Sequence, residues 1–258
     1  MFRHQGLERT PAQNGVLALY LAFVGGYVNS AGFALLGTFT SHVTGNVGRF
    51  ANDLVRAQFH LAAGALEMIV AFLFGAFVAS VVIESNRFDR TSYAYGVALS
   101  LEALLLALFI VASGLHIRPD SAAALLCAAM GMQNSLVTRL SGAVVRTTHL
   151  TGVVTDIGIE VARWLRWWRA SNGRPDALLV GRNPAERPAS AKIRLLTTIA
   201  LSFTIGAIAG GAAGFAFHST AMLLPSLAIA LAASYAFKGG AKSGASIIPP
   251  ARTHSHRT

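Results

Sequence analysis

Six stretches of this sequence are each long and apolar enough to cross a lipid bilayer, and this pattern constrains the fold more than any other feature. A helix needs about 20 mostly apolar residues to span the hydrocarbon core. The six stretches have the approximate bounds 16–37, 60–83, 94–116, 121–138, 196–217 and 219–237. We therefore predict an all-α, polytopic membrane helix bundle of about six transmembrane helices.

The composition favours a membrane protein over a soluble or disordered chain. Of the 258 residues, 53% are hydrophobic and 12% are charged, whereas a soluble domain carries roughly 25% charged residues. Disorder requires low hydrophobicity. The single Cys127 excludes a disulfide within the chain.

Lys and Arg are concentrated on one side of the predicted membrane. If both termini lie on the same side, all but three of the 21 Lys and Arg residues lie there too, and the exceptions are Arg49, Arg56 and Arg118. This bias predicts cytoplasmic termini. The net charge of +10 is then a topology signal, with the lipid bilayer as partner and no nucleic acid.

The same pattern divides the chain into three parts. We predict a cytoplasmic leader at 1–15, an integral membrane domain at 16–237 and a disordered basic tail at 238–258. The membrane domain contains a basic cytoplasmic loop at about 164–194. This loop begins with interleaved tryptophan and arginine, which is typical of helices at a membrane interface.

A sequence repeat relates the two halves of the membrane domain. Residues 26–46 read GYVNSAGFALLGTFTSHVTGN, and residues 131–152 read GMQNSLVTRLSGAVVRTTHLTG. Both contain Gly-x-x-Asn-Ser and, after a spacer, a hydroxyl residue followed by His-x-Thr-Gly. Because each copy follows the first of three spans, the second copy must face the opposite way. We predict two inverted 3+3 repeats, about 16–116 and 121–237, as in many secondary transporters.

The segment after each His-x-Thr-Gly motif carries several charges, which are costly against lipid. Short broken or re-entrant helices are therefore favoured over two further spans, which would give eight elements and parallel repeats. Within each short helix an acid and an arginine stand three residues apart and can pair: Asp53 with Arg56, and Glu160 with Arg163. At matched positions Arg49 and Asp156 have opposite charges, which predicts a pairing between the repeats.

The two motifs predict a substrate or proton site at the centre of the bundle. Helix N-termini favour anions, and histidine titrates near neutral pH. The alternative is that these polar groups cross-link helices by hydrogen bonds. The candidate residues are His42, Thr44, Asn46, His149, Thr151, Asn29 and Asn134.

Glu67 and Glu102 lie within apolar spans and are candidates for proton relay, with a structural carboxyl as the alternative. Two histidines without a third ligand make a poor metal site. The sequence contains no nucleotide-binding Gly-x-x-x-x-Gly-Lys-Ser/Thr motif and no Gly-x-Ser-x-Gly motif. We therefore predict no metal, no cofactor and no enzymatic activity.

The stretches NSAGFALLGTFTSHVTGN and GMQNSLVTRLSGAVVRTTHLTGVVTD resemble the YoaK-like family of bacterial inner-membrane proteins of unknown function. The resemblance runs from about Gly15 to Phe237. It implies six or so helices in the bacterial inner membrane and supplies no substrate. Many members have Asp-Ala where this chain has Asn29-Ser30, so a proton-binding carboxylate is not implied at that position.

Together these features predict a secondary transporter or permease for an unknown small polar or anionic solute. Proton coupling would use His42, His149 and Glu67 or Glu102. The alternative is a non-transporting scaffold or assembly partner that docks through its basic Trp/Arg loop. A Gly-x-x-x-Gly series in the fifth apolar stretch predicts close helix packing within the chain, or else a face for homo-oligomers.

Overall fold

The computed structural model describes residues 10–85, 91–115, 117–145, 147–172 and 188–244. These ranges contain α-helices, one short 3-10 helix and connecting loops, and no strand, so the predicted all-α fold is confirmed. The helices are α1 Pro11–Leu36, α2 Val43–Val55, α3 Phe59–Glu84, α4 Thr91–Gly114, α5 Pro119–Ser141, α6 Leu150–Ser171, α7 Ser190–Phe217 and α8 Leu223–Gly244, with the 3-10 helix His218–Met222 between α7 and α8.

Four helical stretches are long and apolar enough to cross a membrane: Ala12–Leu36, Phe59–Glu84, Ser92–Gly114 and Ser190–Lys238. The last one combines α7, the 3-10 helix and most of α8. Its 49 residues form two antiparallel helices, because α7 runs parallel to α1, whereas Tyr27 and Tyr20 of α1 contact Ala221 and Ala228 in the reverse order. These helices have the length and composition of a membrane protein.

The predicted stretch 121–138 lies within α5, which is not among the four apolar stretches. Most side chains of α5 are buried, because α1, α3 and α4 all pack against it. A helix enclosed by other helices does not face lipid and can carry polar residues. By contrast, α3 and α7 direct large apolar side chains outwards, including Leu73, Phe74, Phe77, Leu201, Ile205 and Ile208.

Matching residues end the first helix of each half. Gly37 after α1 and Gly142 after α5 both adopt the left-handed conformation, with φ of 69° and 61°. Glycine tolerates this conformation because it has no Cβ. The two glycines are 105 positions apart, the same offset that relates Asn29 to Asn134. The sequence repeat is therefore also a repeat of local backbone structure.

The main helix pairs are α1 with α7, α3 with α5, and α4 with α8. Helices α1 and α5 cross antiparallel, since Gln133 donates a hydrogen bond to the Leu21 carbonyl while Leu126 lies near Gly32. Helices α3 and α5 run parallel, and Arg139 at the end of α5 forms an ion pair with Glu84 at the end of α3. We call this end of the bundle, where α1 begins and α5 ends, the basic end.

The helix pairs α1–α7 and α3–α5 touch through glycines in the same way. A Cβ on Gly26 of α1 would overlap the Phe203 carbonyl oxygen of α7, and one on Gly131 of α5 would overlap the Phe72 carbonyl oxygen of α3. The predicted packing role of the α7 glycines is confirmed, because α1 covers them. Gly206 and Gly210 in particular leave no room for a side chain against the α1 backbone.

The helices extend beyond two predicted boundaries. Helix α8 continues to Gly244, so residues 238–244 are helical where a disordered tail was predicted. Helix α6 includes the Trp/Arg segment at the start of the predicted loop. The remaining parts of the predicted leader, loop and tail, at 1–9, 173–187 and 245–258, lie outside the described residues.

Replacing Gly26 by Ala should destabilise the bundle, because the new methyl group meets the α7 backbone rather than a movable side chain. We expect a loss of about 1–3 kcal/mol, measured as a lower melting temperature of the purified protein in detergent. Gly15→Ala in the same helix is the matched control, since nothing lies within 4 Å of its Cβ position. Equal melting temperatures for the two variants would contradict the backbone contact.

Candidate functional site

After α1 the chain turns back into the bundle, and Asn29 of α1 holds the returning segment by hydrogen bonds. Asn29 lies seven residues before the end of α1, which corresponds to about 10 Å along the axis. Its Oδ1 accepts hydrogen bonds of 3.0 Å from both the backbone N–H and the hydroxyl of Ser41. The start of α2 is therefore held well inside the end of α1.

The second half repeats this arrangement. Asn134 lies seven residues before the end of α5, and its Oδ1 accepts a 2.6 Å hydrogen bond from the Thr148 hydroxyl. Thr148 and Ser41 occupy matched positions, each directly before a motif histidine. In both halves the asparagine oxygen holds the residue that precedes the motif histidine, which is the cross-linking role that the sequence left open.

The histidines and threonines of the two motifs do not come together. His42, Thr44, His149 and Thr151 are all exposed, and α2 and α6 make no contact with each other. His42 lies instead beside the Phe39 ring, with ring centres 6.3 Å apart. The predicted common site formed by both motifs is not assembled in this structure.

Asn46 is buried and helps to fix α2 against α3. The Thr38 hydroxyl lies 3.4 Å from Asn46 Oδ1 and 3.8 Å from the sulfur of Met68 on α3. Thr38, in the loop before α2, thus bridges Asn46 of α2 and Met68 of α3. Asn46 therefore contributes to packing in the first half.

The charges on α2 pair differently from the prediction. Arg49 lies 3.7 Å from Asp53 and 3.8 Å from Asp120 at the start of α5. Asp53 thus pairs with the arginine four residues before it, rather than with Arg56. Because α2 and α6 do not touch, the predicted pair between Arg49 and Asp156 is not formed.

On α6 the predicted pair is present and has a third member. Glu160 Oε1 accepts hydrogen bonds from Arg163 at 2.9 Å and from Lys192 of α7 at 2.8 Å. The Glu160 side chain is 4% exposed. The Lys192 ammonium, with Arg163 beside it, lowers the pKa of Glu160 below its ordinary value. This cluster joins α6 to α7 at the basic end.

A groove of about 410 Å³ lies between α6 and α7 at the basic end. His149, Asp156 and Lys192 supply its polar lining, and apolar residues including Val153 and Ile199 complete it. His149, the histidine of the second motif, is one of the lining residues. Of the predicted site residues, this groove therefore contains His149 and Asp156.

The two intramembrane acids differ sharply in their surroundings. Glu67 is partly exposed on the lipid-facing helix α3. Glu102, at the middle of α4, is 0% exposed, and neither of its oxygens has a hydrogen-bond partner in the part of the chain that the structure describes. Glu102 is thus the predicted site residue with the most unusual environment.

The comparisons with known proteins identify a family and no function. Residues 17–235 match the family described as "Protein of unknown function (DUF1275)". The chain belongs to the DUF1275 family. The expected membership of an uncharacterised family is confirmed, although the match does not carry the YoaK name. No curated protein matches the chain, and no solved structure matches it.

Three polar residues of this DUF1275 protein were not predicted. Lys192 is missed because it pairs with an acid 32 positions away, beyond any helical spacing. Gln133 and Thr147 are both fully buried and border the repeat motifs. Their positions next to Asn134 and Thr148 are a signal in the sequence, but a weak one, because Thr147 recurs in the first half as Thr40 whereas Val28 stands in place of Gln133.

Acid should weaken the junction between α6 and α7. Because the folded-state pKa of Glu160 is lowered, its ion pairs stabilise the protein above the ordinary Glu pKa and are lost as pH falls through the folded-state value. We expect Glu160→Gln to lower the melting temperature at neutral pH and to flatten its decline in acid.

Asp156→Asn is the control for this prediction, because Asp156 lies one turn earlier on α6 and forms no ion pair with the described residues. It should leave the acid limb of the melting curve unchanged. An acid limb in Glu160→Gln as steep as in the wild type would rule out the proposed pH dependence.

Proposed function

We propose that this protein is a proton-coupled permease for a small polar solute, working by alternating access in a bacterial inner membrane. The observation that carries this proposal is the buried, unpartnered carboxyl of Glu102. The proposal includes six membrane spans in two inverted repeats, with α2 and α6 as re-entrant helices and both termini in the cytoplasm. It includes no enzymatic activity.

Glu102 lies where α1, α4 and α8 are held together. Ser226 of α8 donates a hydrogen bond to the carbonyl of Ala103, the next residue on α4. Tyr20 of α1 donates to the carbonyl of Ala228 on α8. An ionised carboxylate without a partner is very costly in such a place, so Glu102 binds a proton or a neutralising cation in this conformation.

A carboxyl that must take up and release a proton is the central requirement for proton coupling. A purely structural residue at this position would be expected to have a hydrogen-bond partner, because buried polar groups normally do. Neither carboxyl oxygen of Glu102 has one among the described residues. The site is therefore suited to a proton that is bound in one state and released in another.

The relation between the two halves supports the transport mechanism. Helices α1 and α5 cross antiparallel, and both asparagines fix a helix start at a depth near the middle of the bundle. Inverted repeats with broken helices at this depth are a common plan of secondary transporters. Irregular backbone at membrane depth is tolerated where it is buried in protein or lines a cavity.

The two halves also differ in a way that alternating access requires. In the first half Asn46 and Met68 are linked through Thr38. In the second half, Val153, which corresponds to Asn46, lines the groove between α6 and α7. The positive-inside rule places the basic end on the cytoplasmic side. Because the groove lies at that end, we interpret the structure as a conformation that is open towards the cytoplasm.

Glu102→Gln should uncouple proton movement from solute movement. The amide keeps the shape of the side chain but cannot release a proton. With the protein in liposomes that contain a pH-sensitive dye, we expect at least one solute to drive a proton flux, and Glu102→Gln to reduce that flux at least tenfold. Exchange of radiolabelled solute at equal pH should persist. The test solutes are glycerol, erythritol, malonamide, methanesulfonate and phosphate.

Glu67→Gln is the matched control, because Glu67 is partly exposed on α3 and should not be needed for coupling. If Glu102→Gln couples protons as well as the wild type, Glu102 is not the proton site. If the wild-type protein moves neither solutes nor protons beyond the rate of protein-free liposomes, the permease function itself is refuted.

The second candidate function is a membrane scaffold that docks through α6. The C-terminal half of this helix exposes Trp164, Leu165 and Trp168, and α6 packs only against α7 among the described helices. If the protein is a scaffold, the double variant Trp164→Ser, Trp168→Ser should fail to restore the wild-type phenotype in a strain that lacks the protein, while Glu102→Gln should restore it fully. A permease predicts the reverse result.

A further inference from the structure

A polar cluster at the start of the second re-entrant segment contains three buried atoms without partners. Gln133 Oε1, Asn134 Nδ2 and Thr147 Oγ1 each lack a hydrogen bond within the described structure. Gln133 and Thr147 are 0% exposed. An unsatisfied buried polar group costs roughly 1–3 kcal/mol, so three together need an explanation.

Hydrogen bonds within the protein determine which atom of each amide side chain is left free. Gln133 Nε2 donates to the Leu21 carbonyl at 2.9 Å, which leaves its Oε1 as the free acceptor. Asn134 Oδ1 is occupied by the Thr148 hydroxyl, which leaves its Nδ2 as the free donor. The Thr147 hydroxyl can both donate and accept. The cluster therefore offers one acceptor, one donor and one hydroxyl.

The cluster lies at the centre of the bundle and close to a second helix. Gln133 and Asn134 are within four residues of the midpoint of α5, or about 6 Å along the axis. A Cβ on Gly25 of α1 would lie 3.3 Å from the Thr148 methyl group and 3.5 Å from Gln133 Oε1. Helices α1 and α5 thus meet around the cluster, at the depth where transporter sites form.

The groove between α6 and α7 adjoins the cluster along the chain, although Gln133, Asn134 and Thr147 do not line it. Its lining includes His149, the residue directly after Thr148. Opening this junction would expose the cluster towards the basic end. Among the described residues the first half does not repeat this cluster: Val28 stands at the position matched to Gln133, and of the three matched positions Thr40 keeps a buried hydroxyl without a hydrogen-bond partner.

We propose that Gln133, Asn134 and Thr147 form the solute-binding site of the permease, and that the solute is small and neutral with neighbouring donor and acceptor groups, such as an amide or a polyol. This inference rests on the proposed function. A cation is disfavoured by the free Asn134 donor, and an anion by the free Gln133 acceptor. The three side chains carry no charge that would compensate either ion.

Thr147→Val is the most informative substitution, since valine has nearly the same shape and removes a hydroxyl that binds no other described residue. In stopped-flow light scattering of liposomes containing the full chain, we expect faster entry of malonamide, glycerol or erythritol than in protein-free liposomes. Thr147→Val should slow this entry about fivefold to tenfold, the effect of one lost hydrogen bond, with an unchanged melting temperature.

Two further variants separate solute binding from folding. Thr40→Val removes the matched hydroxyl in the first half and should transport at the wild-type rate. Thr147→Ser keeps the hydroxyl and should restore most of the rate lost in Thr147→Val. This combination of results would support the assignment of the site.

Other outcomes refute the inference in distinguishable ways. If Thr147→Val transports at the wild-type rate, the cluster holds structural water and the solute binds elsewhere, while the permease function stands. If the wild type moves methanesulfonate or phosphate but none of the neutral solutes, the neutral class is wrong and the permease again stands. If no solute moves at all, the proposed function fails and this inference fails with it.

Discussion

Close backbone contact at a few glycines holds the two halves of this bundle together. Lipid is as apolar as leucine, so helices in a membrane associate through close packing and hydrogen bonds rather than through a hydrophobic driving force. Gly26 and Gly131 each meet a carbonyl of a helix from the other half. The halves are therefore interleaved, and the positions of α2 and of the longer α6 follow from where α1 and α5 are held.

Because the halves are interleaved, polar side chains lie at the centre of the bundle and are not exposed to lipid. Asn29 accepts a hydrogen bond from the Ser41 backbone N–H, and Asn134 accepts one from the Thr148 hydroxyl, so each asparagine holds the segment that leads into the next helix. Among the described residues, the buried polar atoms without a hydrogen-bond partner include the Glu102 carboxyl on α4 and the cluster around Gln133 in the second half. The two halves related by the sequence repeat thus carry different sets of buried polar groups.

The sequence predicted the helical elements well because apolar length and glycine position act locally. Both asparagines were identified by the repeat, and the ion pair of Glu160 with Arg163 followed from helical spacing. The predicted pair of Arg49 with Asp156 is not formed, because α2 and α6 lie apart. The sequence does not show this separation. The role of Lys192 was also missed, because α7 brings it to Glu160 from a distant part of the chain.

The sequence by itself determined that the chain is an all-α protein with membrane-length apolar helices and two related halves. These properties depend on local patterns, namely apolar runs, helix caps and repeated motifs. Only the tertiary structure decided which polar groups are left without partners. His42 and His149 share a motif and yet end up exposed, whereas Glu102 and Gln133 are fully buried. Burial and pairing depend on how separate helices meet, and spacing along one helix does not contain that information.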